Sequence, residues 1–128
     1  MRTTARILVM GLEQSLTREL GEALEQAHVD HSLLALSSHC SESEPPVDWN
    51  EVDIVFCPSR PDELDVVLRT VAQAKPGIPV VVISRLPEVS QWLDAIEAGA
   101  ADYCAAPIEA VQVRWLLESH LRRRRHAA

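Results

Sequence analysis

The chain has 128 residues, enough for one domain with a core of its own, and 47% of them are hydrophobic against 24% charged, an ordinary balance for a globular protein. A formal net charge of -7 argues against a general nucleic-acid binder, and no apolar run approaches the ~18 to 20 residues of a membrane span. Three cysteines, Cys40, Cys57 and Cys104, are odd in number and lack a Cys-x-x-Cys pair, and the start Met1 to Arg6 has no signal-peptide core, so reduced thiols and a cytoplasmic protein are expected.

Ile7-Leu8-Val9-Met10 is a short buried strand stopped by Gly11, and Ser15 is the expected N-cap of a helix through Thr17 to Glu25 whose inner stripe is Leu16, Leu20, Ala23, Leu24 and Ala27. A second strand, Ser32 to Leu36, precedes the polar stretch Ser37 to Pro46. The pair Pro45-Pro46 leaves room there for no more than a short turn near Val47 to Asn50. The segment Val52-Asp53-Ile54-Val55-Phe56-Cys57-Pro58 is continuously apolar after its acid and rich in β-branched residues, the mark of a central strand covered on both faces.

Asp62 to Ala72 has helical apolar spacing with acids in its first turn, Ile78 to Ile83 is a fourth strand, and Pro87 opens a helix, Glu88 to Ala98, that ends at Gly99. In that helix Leu93 and Ile96 are the expected core residues. Tyr103-Cys104-Ala105 is a fifth strand, and Ile108 to about Arg124 is the last helix. Strands alternating with helices over short turns predict an α/β domain, residues 1–128, with a parallel sheet, helices on both faces and right-handed crossovers. Chemistry in such sheets gathers at the carboxyl ends of the strands, where Cys57, Pro58 and Ser59 stand.

Two helices carry more apolar surface than a core needs. On the last helix Val113, Leu116, Leu117, His120 and Leu121 form the sheet-facing stripe, and at ~100° per residue Trp115 and Val111 fall on the outer side. Trp92, with Val89 three residues before it, widens the face of the preceding helix in the same way. Exposed tryptophans anchor contacts, so these four residues mark an expected protein interface, with a homodimer through the last two helices as one form of it; coverage by long arginine stems is the plainer account. Arg122-Arg123-Arg124-Arg125, followed by His126 to Ala128, complements the negative end of the last helix or starts a linker.

In order and spacing, Ile7-Leu8-Val9, Asp53-Ile54-Val55-Phe56, Pro79-Val80-Val81-Val82-Ile83-Ser84 and, most specifically, Ala98-Gly99-Ala100-Ala101-Asp102-Tyr103 followed by Ala106-Pro107 resemble the receiver domain of bacterial two-component response regulators, in the CheY-like superfamily, over nearly the whole chain. The resemblance implies a flavodoxin-like (βα)5 three-layer sandwich with sheet order 2-1-3-4-5, here with the second helix short or missing. It also implies phosphoryl transfer from a histidine kinase to an aspartate, an acidic pair that binds Mg²⁺, a lysine after the fifth strand, a hydroxyl ending the fourth and a switch aromatic on the fifth. The terminal helix resembles the segment by which receivers continue into an output domain or coiled coil.

Carried over residue by residue, the acidic pair falls on Gly11 and Leu12, the nucleophile on Pro58 or, with the short following loop realigned, Cys57, and the lysine on Ala106. None can do that chemistry; Ser84 keeps the hydroxyl and Tyr103 the aromatic. The expectation is a degenerate receiver without catalysis, cofactor or metal. It would be a phosphorylation-independent protein-protein interaction module in signalling or transcription control, binding an output domain, a kinase-pathway protein or a regulator protein, and neither nucleic acid nor membrane directly. Two alternatives stand beside it: phosphorylation on a displaced acid, with Glu13, Asp62 and Glu63 as the available carboxylates, and a small-molecule or nucleotide sensor using the altered pocket. His28, His31, His39 and Cys40 match no zinc spacing, Cys57 and Cys104 have no activating neighbour in sequence, and Gly11 alone makes no phosphate loop.

Overall fold

A computed structural model describes residues 4–37, 46–85 and 89–127, with side chains to Leu121. Parallel strands β1 (Thr4–Met10), β2 (Asp30–Leu36), β3 (Ile54–Pro58), β4 (Val80–Ser84) and β5 (Asp102–Ala105) form one sheet in the order β2-β1-β3-β4-β5. Helices α1 (Gln14–Gln26), α2 (Pro61–Ala74), α3 (Val89–Ala98) and α4 (Ala110–Ala127) cover it. The expected flavodoxin-like α/β sandwich is therefore the observed one. Between β2 and β3 the described residues hold a single 3-10 turn, Trp49–Glu51.

Strand alternation splits the core into two layers. Ile7, Val9, Ile54, Phe56, Val81, Ile83 and Cys104 pack with α1 and α4, whereas Leu8, Met10, Val55, Cys57, Val80 and Val82 pack toward α2 and α3. Every residue of β4, and of β3 up to Cys57, is buried, as central strands require, while β2 at the edge alternates and leaves Leu34 exposed. The predicted stripe of α1 is buried in full, as are Val113, Leu116, Leu117, His120 and Leu121 of α4.

Local chemistry sets the helix ends. Ser15 is not the N-cap of α1: that place belongs to Glu13, and the Ser15 hydroxyl instead donates to Glu13 Oε1 at 2.8 Å. The helix closes with His28 in the left-handed region (φ 58°), while the amides of His28 and Val29 donate back to Glu25 and Leu24. Buried Val29 lies over buried Leu24, completing a Schellman end without the usual glycine. Gly99 (φ +122°) ends α3 in the same pattern, with the Gly99 and Ala100 amides donating to Ile96 and Ala95. The arginine run, 122–125, lies inside α4.

One expectation about α3 is corrected. Its buried contact is Ala95, and Leu93 and Ile96 are 51% and 39% exposed. The alanine lets the helix backbone lie close over the sheet, so the large side chains on the neighbouring faces are turned outward. Tyr103 and Ala100 complete the packing beneath it.

Candidate functional site

At the carboxyl ends of the strands lies a cavity of about 430 Å³, bounded by Gly11, Leu12, Glu13, Pro58, Ser59, Arg60, Glu63, Ser84, Arg85 and Gln91 among others. The loops after β1, β3 and β4 thus converge where an open parallel sheet places its ligands. Of the residues singled out in sequence, Gly11, Leu12, Glu13, Pro58, Ser59, Glu63 and Ser84 line this cavity. Cys57 does not. Its side chain is fully buried in the layer between the sheet and α2, and burial pushes its thiol up to about 12. Pro58 is the last residue of β3 and carries that strand's contribution to the cavity wall. Ala106 is also off the wall: it packs against the α1/α4 core layer, and its amide donates to the Ser84 carbonyl at 2.9 Å.

The acid that opens the central motif lies at the wrong end for chemistry. Asp53 precedes β3, where its carboxylate accepts from the Arg6 amide at 2.8 Å and from Arg6 Nε and Nη2 at 3.2 Å each. Arg6 Nη1 reaches Glu51 at 2.6 Å, and the Asp53 amide returns a bond to the Arg6 carbonyl. These bonds, led by the one to Asp53, raise the Arg6 pKa. Asp53 is therefore a structural clamp joining the starts of β1 and β3, across the sheet from the cavity.

Two carboxylates do border the cavity, and each meets an arginine. Glu13 accepts from Arg85 Nε at 2.6 Å, and Glu63 from Arg60 Nη1 at 3.4 Å. The bond from Ser15, then that from Arg85, holds the Glu13 carboxyl below its ordinary range. Asp62 sits in the first turn of α2, following Pro61 at its start, where an acid favours the helix dipole.

No protein-family model matches the chain. Over 110 residues it is 27% identical to the transcriptional regulatory protein ZraR of Salmonella typhimurium, a stretch that covers 84% of this chain but only 23% of that protein. A response regulator receiver domain protein from Clostridium thermocellum superposes with a TM-score of 0.75 at 19% identity, covering 97% of this chain and 99% of the other. The receiver domain of NtrX from Brucella abortus gives 0.70 at 22% identity, over 91% and 98%. The fold is the receiver fold of response regulators.

The receiver resemblance implies a magnesium ion, which needs oxygen donors in near-octahedral array. Gly11 and Leu12 supply no side-chain oxygen, and Glu13 is engaged by a guanidinium. These residues do not fit the ion. Among the described residues no group of three His, Cys, Asp or Glu side chains is placed to hold any metal; His31 Nδ1 lies 3.0 Å from the Val29 carbonyl, and His39 and Cys40 fall outside the described residues. Cys104, like Cys57, is a buried thiol pushed up to about 12 by desolvation. No described helix is long and apolar enough to cross a membrane.

Tyr103, which the resemblance assigns as the switch aromatic, is half-buried against the α2/α3 layer, with its hydroxyl 3.5 Å from Gln91 Oε1. The four proposed interface residues are all exposed, but they do not form one stripe. On α4, Arg114 donates to the Ala27 carbonyl of α1 while His120 Nε2 lies 3.1 Å from Asp102 Oδ2 of β5. These two contacts orient the helix, and at ~100° per residue Val111 and Trp115 fall on the outer side nearer α1. Val89, Trp92, Leu93 and Ile96 form a separate ridge on α3.

The sequence reading missed Arg85 and Glu19. Arg85 Nη1 lies 3.4 Å from Glu19 Oε2, and Glu19 Oε1 accepts from the Ile108 amide at 3.2 Å. The available signal was the placement of an arginine directly after the hydroxyl that ends the fourth strand, on the rim that also carries Glu13.

Proposed function

We propose that this chain is a receiver domain of a two-component-type response regulator that works without phosphorylation, as a cytoplasmic protein-protein interaction module in signalling or transcription control. The carrying observation is the cavity wall: glycine, leucine and proline stand where the receiver's chemistry needs carboxylates, and the two nearby glutamates are paired with arginines. A phosphoryl acceptor must present a free oxygen nucleophile beside a cation, and this rim offers neither together. The regulatory setting is supported by likeness to ZraR, whose name describes a transcriptional regulator. Binding rather than catalysis is supported by the apolar ridge of α3, which is exposed among the described residues.

Charge narrows the partner. Described α3 carries Asp94 and Glu97 and no basic residue, so a second copy would set like charges together along the ridge. A partner helix with an apolar face and basic flanks is complementary.

The test is incubation with Mg²⁺ and acetyl phosphate followed by intact mass measurement. No phosphoryl adduct is expected. An adduct lost on Glu63→Gln or Asp62→Asn would overturn the reading in favour of a displaced acceptor.

A further inference from the structure

Arg85 makes an unusual set of contacts for a surface arginine. Its Nε donates to Glu13 Oε1 at 2.6 Å, its Nη2 to Ser15 Oγ at 2.6 Å, and its Nη1 lies 3.4 Å from Glu19 Oε2. Ser15 in turn donates to Glu13 Oε1, so acid, hydroxyl and guanidinium close a ring at the start of α1. Glu19 extends the network, because its other oxygen takes the Ile108 amide in the β5–α4 connection. The backbone beside Arg85 is joined to that same connection by the bond from the Ala106 amide to the Ser84 carbonyl.

Three connections of the sheet's carboxyl edge are therefore tied together: Arg85, after β4, reaches the β1–α1 segment directly and the connection after β5 through Glu19. A planar group with five donors can serve several oxygens at fixed angles, which a lysine cannot. The acids it neutralises, Glu13 and Glu19, both come from the β1–α1 segment. In the receiver resemblance that segment faces a metal ion and a lysine from the β5–α4 connection; here the lysine position is Ala106 and the acidic pair is Gly11 and Leu12.

We propose that Arg85 is a built-in cation that replaces the exchangeable charge of a receiver pocket and latches the three connections in a single arrangement. The inference rests on the reading of the pocket as unphosphorylated and adds how its state is set. A pocket whose positive charge is covalently part of the chain has no ligand to gain or lose, so the segments that Arg85 bridges are held in one arrangement.

Hydrogen exchange read by mass spectrometry on the full chain tests the latch. Arg85→Ala should speed exchange in peptides covering 11–19 and 104–110 by about fivefold, and leave β3 and α2 unchanged. Arg85→Lys should fall between, and the charge swap Glu13→Arg with Arg85→Glu should restore protection. Unchanged exchange, a uniform rise over the whole chain, or no recovery in the swapped pair would each overturn the latch. The acetyl phosphate experiment fails independently: an adduct on the wild-type chain with the exchange pattern intact removes the proposed function, whereas the converse removes the latch alone.

Discussion

A carboxylate's role here is decided by which guanidinium it meets. Asp53 has the sequence position of an acid entering the central strand, yet its carboxylate is occupied by three bonds from Arg6, whose remaining Nη1 donates to Glu51. Glu13 is held ionised by Ser15 and Arg85, with Arg60 adding a weaker attraction. Because the folded carboxyl is depressed below its unfolded value, its contribution to stability is complete above the ordinary carboxylate range and is lost as pH falls through the lowered folded value. Glu13→Gln should therefore flatten the acid limb of a stability-versus-pH curve measured by urea titration. An unchanged acid limb would show that the Glu13 contacts have no energetic weight in solution. Cysteines follow the opposite logic: Cys57 and Cys104 are buried as neutral thiols, so reactivity gives way to packing.

At the scale of elements, α3 differs from the rest. α1 and α2 spend their leucines and valines on the core, whereas α3 buries only Ala95 and leaves Val89, Trp92, Leu93 and Ile96 exposed. Those positions follow i, i+3, i+4, i+7, the spacing of a helix face made to receive another helix. Trp92→Ala should lower affinity for a basic amphipathic peptide by about thirtyfold or more, the ~2 kcal/mol or more of an interface anchor, while leaving the thermal midpoint within a few degrees of wild type. Titration of a fluorescently labelled peptide reads the affinity, and thermal unfolding of each protein reads the midpoint. Equal affinity of mutant and wild type would exclude the ridge. The α4 pair, Val111 and Trp115, belongs to a different surface nearer α1, so Trp115→Ala should not change that affinity. Helical periodicity placed both tryptophans outward from sequence; the failure on Leu93 and Ile96 came from assuming that the larger residues must be the buried ones. The small residue won because it allows the closest helix-to-sheet approach.

The whole molecule is a sheet covered on both faces, and its margin depends on side chains that serve the centre of that arrangement. Phe56, fully buried on β3 against α1 and α4, should cost about 3 to 5 kcal/mol when replaced by alanine, a large part of the ~5 to 15 kcal/mol usual for a domain. A denaturant midpoint barely moved by Phe56→Ala would mean that the two-layer core described above does not carry the fold. Sheet order and the inner faces of α1 and α4 were legible in the sequence, because apolar periodicity and turn residues act over a few neighbours and the receiver resemblance orders the strands. What the chain alone left open was every contact between distant loops. The choice between Cys57 and Pro58 at the cavity wall depends on which face of β3 each residue takes, and strand pleat settles it only once the sheet's two sides are known. Arg85 meeting Glu13 and Glu19, and Asp53 meeting Arg6, join residues far apart in the chain whose spacing has no local pattern; only folding, which brings the ends of parallel strands to a common edge, determines which charges become neighbours.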